Sequence, residues 1–265
     1  YTEKQLPDGS PRTPLEELIR WRLWNRTGGG LMAELGSHQL DAAGIFISAM
    51  HGKGKKVKPL TVTAVGNRSI FPDDREVDDH VYCMYEYPAP DYVENPNKKI
   101  VVTYSSINGN GFGGYGEVVM GTEGTLILEQ EQNVMLYKGS SRDTRVTVSK
   151  SKSGEAVLDT TESGGAGSVA AVPTESSGKA PPSRGYTEEM EHWAWCVRNP
   201  DPANQPRCKP EVAIADAVIA LVSNMALKNS DGQPRVDFKE EWFDIESDVT
   251  PEGVKPNLQR EQYRI

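Results

Sequence analysis

Cysteine is scarce in this sequence. The three present among 265 residues, Cys83, Cys196 and Cys208, are odd in number, far apart and without a C-x-x-C pair. No disulfide framework can be built from them, so reduced thiols and a cytoplasmic location are the default expectation. No apolar run approaches the roughly 18 residues that cross a bilayer, and no charged-then-apolar leader opens the chain. Neither a membrane nor a signal peptide is therefore expected. The chain starts at Tyr1 rather than methionine, so an upstream segment is expected to be missing. Positive charge is short as well: 29 Lys and Arg against 38 Asp and Glu leave a net charge of -9. With no basic tract interleaved with aromatics, nucleic acid is set aside as a partner. Three motifs are also lacking. There is no phosphate loop ending in Gly-Lys-Ser/Thr, no Gly-x-Gly-x-x-Gly after a strand, and no His-Glu-x-x-His.

What is present fits an ordinary globular protein, with 37% hydrophobic and 25% charged residues and length enough for a sizeable core. One stretch stands out, Gly28-Gly29-Gly30-Leu31-Met32-Ala33-Glu34-Leu35-Gly36-Ser37-His38-Gln39-Leu40-Asp41. At about 100° per residue, a helix would set Glu34, His38 and Asp41 on one face, with Ser37 among them. Most of the remaining circumference is apolar or small, which predicts a buried helix whose one polar stripe faces a cavity, a ligand or another domain. An isolated histidine is more often structural than catalytic. A carboxylate one turn earlier shifts the balance, because it can fix the imidazole tautomer and hold the ring poised for proton transfer. The same spacing serves metal ligands, but companion ligands are not visible, so proton transfer ranks above metal binding.

Around this stretch the texture changes in order. Residues 1–14 read as an arriving linker, and Leu15–Trp24 as a helical turn leading into an extended piece. Trp21, Arg22 and Trp24 crowd the approach to the glycines; they are either core or the lining of a sugar pocket. The helix from Gly28 is expected to end near Ala49, before the basic tip Gly52-Lys53-Gly54-Lys55-Lys56. Period-two alternation then predicts strands within 57–71, 80–87, 99–105, 117–120, 125–128, 134–137 and 145–149. Gly121-Thr122-Glu123-Gly124 reads as a hairpin turn. Residues 150–185, rich in Ser, Gly and Thr, read as a flexible insertion. Helices are expected at 186–197 and 210–227, a last strand at 235–238, and a polar surface tail over 241–265. Helix, strands, then helices predict an α+β fold, two layers, with helices on one face of a mostly antiparallel open sheet. The uncovered face would suit a second copy of the chain, making a homo-oligomer.

Trp21-Arg22-Leu23-Trp24 and the glycine–acid–histidine stretch resemble the opening of the C-terminal domain of Gfo/Idh/MocA oxidoreductases. Later landmarks resemble that family in order: Glu117–Leu126 its mid-sheet hairpin, and Glu191-His192-Trp193 through Cys208-Lys209-Pro210-Glu211 its closing helices. The resemblance spans roughly residues 15–240. It implies a substrate-binding and oligomerisation domain from which the N-terminal Rossmann domain is absent. His38 would shuttle the proton of a sugar or polyol hydroxyl while hydride passes to nicotinamide. Glu34, where the family more often has aspartate, would orient His38 or bind the hydroxyl. Trp21, Arg22, Trp24, Gly29, Gly30 and Asp41 would contact substrate. NAD or NADP would be bound by the missing domain, with no cofactor or metal held by this chain, and the chain would be inactive by itself. A glycoside-cleaving relative using the same histidine, and a non-enzymatic carbohydrate-binding or assembly module, are the alternatives.

Overall fold

The computed structural model describes residues 4–5, 9, 11–52, 56–109, 114–129, 133–138, 147–150, 156–159, 185–229 and 234–253. Two short strands, β1 (Lys4–Gln5) and β2 (Pro11–Arg12), pair antiparallel ahead of helix α1 (Pro14–Ile19). Thr13 caps α1 by accepting a hydrogen bond from the Glu16 N–H at 3.1 Å, and Pro14 fits the first turn, where no N–H is needed. The extended piece expected next does not form. Trp21–Leu23 makes a 3-10 turn and the Gly28 N–H closes back on the Trp24 carbonyl at 2.8 Å, so the chain stays coiled into the glycines. A long helix then runs from Gly30, with a π-helical stretch at Met32–Gly36 followed by α2 (Ser37–Met50).

Strands β3 (Thr61–Asn67), β4 (His80–Pro88) and β5 (Lys99–Ile107) come next. They are followed by β6 (Gly116–Met120), β7 (Gly124–Glu129), β8 (Asn133–Lys138), β9 (Thr147–Lys150) and β10 (Ala156–Asp159). Helices α3 (Tyr186–Arg198) and α4 (Pro210–Lys228), strand β11 (Arg235–Asp237) and a 3-10 turn at Glu240–Phe243 complete the chain. Strand β10 lies inside the segment expected to be a flexible insertion; residues 151–155 and 160–184 of that segment lie outside the described residues.

Contacts divide the chain into two compact units, one of residues 1–111 with 202–265 and one of residues 112–201. In the second, β6, β7 and β8 form a three-stranded antiparallel meander whose first turn is closed by the Gly121 N–H on the Gly124 carbonyl at 2.8 Å. Strands β9 and β10 pair as a hairpin, and α3 belongs to the same unit.

The first unit holds the candidate site. Its sheet has the order β11-β3-β4-β5, antiparallel throughout. Alternation decides its two faces. Val62, Ala64, Val81, Cys83, Tyr85 and Tyr87 point inward and pack with Leu31, Met32, Leu40 and Ile47 before and along α2 and with Val218, Ile219, Val222 and Ala226 of α4. Val65, Tyr82, Met84, Val101 and Ile107 stay exposed on the other side. This is an α+β arrangement with helices on one face of an open antiparallel sheet. By length and a mean hydropathy of 1.5, α4 alone among the described helices could cross a bilayer; here its apolar side is core. A polar link crosses that core where the Tyr85 and Ser223 hydroxyls meet at 2.7 Å, with Ser223 also donating to the Ile219 carbonyl. At the start of the segment expected to be a polar surface tail, Trp242 and Phe243 are buried in this core; residues 254–265 of that segment lie outside the described residues.

Candidate functional site

The site is built from the glycine turn upward. Gly29 (φ +74°) and Gly30 (φ +66°) hold left-handed backbone that side chains rarely adopt, while a Cβ on Gly28 would sit 2.9 Å from the Arg22 backbone. The Asn224 side chain of α4 donates to the Gly29 carbonyl at 2.8 Å, pinning the turn to the closing helix. Beyond the turn the Ser37 N–H reaches back five residues to the Met32 carbonyl, which is the π register. Gly36 is buried, and a Cβ there would come within 3.3 Å of the Tyr104 ring, so a glycine lets the helix lie close on β5.

Glu34 and His38 do not engage each other, for no hydrogen bond or ion pair joins them among the described residues. The Glu34 carboxylate instead receives the Arg22 Nε at 3.0 Å, and the Arg22 guanidinium lies 5.0 Å from the centre of the Trp21 ring. Trp21, Arg22 and Glu34 thus form one connected array beside the glycine turn. His38 is exposed, and among the described residues it has no hydrogen-bond or ion-pair partner. The partner expected to orient His38, the Glu34 carboxylate, meets Arg22 here through one of its two oxygens. The Ser37 hydroxyl turns inward to the Ala33 carbonyl at 3.1 Å. Trp24 is fully buried, with the Arg12 guanidinium 4.8 Å above its ring, and so takes the core place of the two open to it.

Asp41 lies in a different setting. Its carboxylate accepts from Lys56 Nζ, which also donates to Asp216 of α4 at 3.2 Å. Burial works against the Lys56 ammonium, but the hydrogen bond it donates to Asp41 and the charges of both carboxylates outweigh it, and the pKa rises above the ordinary lysine value. Burial, with the Asp41 charge added and Lys56 opposing, holds the Asp216 carboxyl above the usual aspartate range. Beneath this group the Tyr87 hydroxyl is buried without a hydrogen-bond partner among the described residues, and burial and the two carboxylates push its pKa well up. The single polar stripe expected on the helix therefore splits between two surroundings. Nor is the helix buried all round: Leu35, Ile45 and Met50 are exposed, because the sheet and α4 cover only one side of it.

Lys56, Asp216, Tyr87 and Asn224 were not legible as partners. A lone acid in the apolar rhythm of α4 was the one available signal for Asp216. Among the described residues no glycine-rich turn follows a strand and opens a helix, the geometry that a dinucleotide pyrophosphate needs, since the triplet here follows a 3-10 turn.

No family model and no curated protein matches the sequence. Solved structures do match. An oxidoreductase from Thermotoga maritima is 15% identical at a TM-score of 0.46, over 82% of this chain and 47% of its own. An oxidoreductase from Sinorhizobium meliloti is 16% identical at 0.47, over 79% and 53%. An oxidoreductase from Agrobacterium radiobacter, solved with NAD+, L-tartaric acid and magnesium, is 14% identical at 0.43, over 85% and 53%. The chain spans about half the length of these proteins. At such identities the likeness concerns fold alone, and at TM-scores below 0.5 no residue role is carried over from it.

Proposed function

We propose that the first unit is the substrate and oligomerisation half of an NAD(P)-dependent oxidoreductase acting on a sugar, polyol or related hydroxy compound. The observation that carries this reading is the placement of His38. It is an exposed, unengaged imidazole just beyond the π-helical stretch that carries Glu34, whose carboxylate joins the Arg22 guanidinium and the Trp21 ring in one array. π stretches occur disproportionately at functional sites. An unengaged imidazole can accept a hydroxyl proton, and Trp21 offers an apolar face of the kind that sugar rings stack on. Arg22 and Glu34 supply a donor and an acceptor for neighbouring hydroxyls. NAD or NADP belongs, on this reading, to a Rossmann domain outside this chain, and the chain by itself is inactive. The role assigned to its own residues is proton transfer and substrate orientation.

The test is His38→Ala in the full-length parent enzyme, assayed for nicotinamide reduction over a panel of sugars and polyols. Turnover is expected to fall by about 10²- to 10⁴-fold with an unchanged melting temperature, because the side chain is exposed. Unchanged turnover would take His38 out of the chemistry and overturn this reading. Carbohydrate binding with no turnover in the parent would favour the non-enzymatic carbohydrate-binding module, which has one observation on its side, the contact of Glu34 with Arg22. The second half of the proposal is self-association through the outer sheet face, supported by the exposed row of Val65, Tyr82, Met84, Val101 and Ile107. Met84→Lys with Val101→Lys should convert the oligomer to a monomer in sedimentation velocity; an unaltered mass would refute that interface.

A further inference from the structure

At the end of the sheet where β3 begins and β4 finishes, a cavity of about 330 Å3 opens between the strand ends and the 3-10 turn after β11. This is the opposite end of the β3–β4 pair from the glycine turn, where Gly30 faces Val77, three residues before β4. Its lining has an uneven chemistry. Lys56, Lys58 and Lys239 supply three ammonium groups against one carboxylate, Glu240, while Pro59, Leu60, Pro88, Phe238 and Phe243 supply apolar walls. The rings of Phe238 and Phe243 stand 5.9 Å apart at 35°, forming one continuous aromatic wall. The basic tip noted in the sequence ends here, at Lys56.

The lysines keep donors in reserve. An ammonium has three. Lys56 spends two on Asp41 and Asp216, and those same carboxylates keep it charged. Lys58 lies 4.8 Å from the centre of the Phe243 ring and donates at 2.8 Å to Glu240, whose side chain is 86% exposed. Lys239 reaches Glu241 only at 4.0 Å. Exposed pairs of this kind contribute about 0–1 kcal/mol, so an incoming anion can replace the glutamates at little cost. An aromatic wall beside the ammonium groups would meanwhile bury an apolar body. The volume lies at the lower end of small-molecule sites.

We propose that this cavity is a second ligand site, separate from the Glu34–His38 face, and that it takes a small organic oxyanion with an apolar body, such as an aryl phosphate or aryl carboxylate. The oxyanion would sit between Lys58 and Lys239, and the body against Phe238 and Phe243. The site stands independently of the oxidoreductase reading.

The experiment titrates the whole chain with phenyl phosphate, inorganic phosphate and phenol, by calorimetry and by amide chemical shifts of Leu60, Phe238 and Phe243. The expected result is that phenyl phosphate binds about 10-fold or more tightly than either fragment, since charge and apolar contact act together. Its binding should weaken as salt rises. The Lys58→Gln/Lys239→Gln variant, whose two side chains are not part of the core, should lose about 10-fold in affinity. Three results would overturn the proposal: no phenyl phosphate binding at millimolar concentration, equal binding of inorganic phosphate, or undiminished binding by the double variant. Circular dichroism of that variant separates a lost site from a lost fold.

Discussion

The two ends of the helix that begins at Gly30 treat charge in opposite ways. Toward the C-terminal half, Asp41 meets Lys56 and Asp216 in a group whose lysine is only 12% exposed, above the buried Tyr87 ring. One ammonium is shared there by two carboxylates, and the group ties α2 to α4. At the N-terminal end Glu34 is 29% exposed, Arg22 68%, and His38 carries no partner among the described residues. A charge paired in partial burial stabilises through its neighbours, whereas one held at the surface in a solvent-screened contact adds little to stability. The first end therefore reads as structure. The second retains polar groups that folding does not need, and such groups point to function.

Breaking the C-terminal end should have the larger effect on stability. Lys56→Met leaves Asp41 and Asp216 facing each other, and unfolding in urea should show a loss of about 2–3 kcal/mol. Adding Asp216→Asn should restore part of it. The pH dependence sharpens this test. Because the folded-state pKa of Lys56 is raised, its contribution is fully present below the unfolded lysine value of about 10.4 and is lost as pH rises through the folded value. The stability gap between wild type and Lys56→Met should thus be constant near neutrality and narrow only in strong alkali. A gap already closing at pH 8 would mean that the ion cluster is not what Lys56 contributes.

At the N-terminal end the backbone matters more than the charges. Gly29→Ala forces a side chain into left-handed backbone and brings its Cβ to 2.8 Å from that of Ala33. The expected cost is about 1–2 kcal/mol, seen in the same unfolding experiment, and a neutral substitution would show that the turn relaxes freely. Arg22→Ala should have the smallest effect on stability, below about 0.5 kcal/mol. In the full-length parent it should raise KM more than it lowers kcat, since the proposal gives Arg22 substrate orientation and not proton transfer. A loss of stability comparable to that of Lys56→Met would erase the contrast between the ends.

Thiol chemistry offers a separate check on the core. Burial pushes the Cys83 thiol up to about 11, whereas Cys208 is exposed. A thiol reagent at pH 8 should label Cys208 first and leave Cys83 until the protein unfolds.

Much of this was written locally. The alternation His80-Val81-Tyr82-Cys83-Met84-Tyr85-Glu86-Tyr87 set both the strand and its buried side, because successive side chains on a pleated chain alternate faces. Pro210 at the start of α4 and the apolar rhythm after it marked a core helix. The glycine triplet marked the start of the central helix, which begins at its last member, Gly30, and the order of elements set the α+β class. What the tertiary structure alone decided was register and partnership. Nothing within Met32–Gly36 distinguishes a five-residue return from a four-residue one; Gly36 seated against Tyr104 of β5 accompanies that choice. Likewise Asp41 finds Lys56 fifteen positions away, and Lys56 finds Asp216 another 160 on. Residues that distant meet only once sheet and helices have packed, so the chain's periodicity settled its elements and packing settled which charges are spent and which are left free.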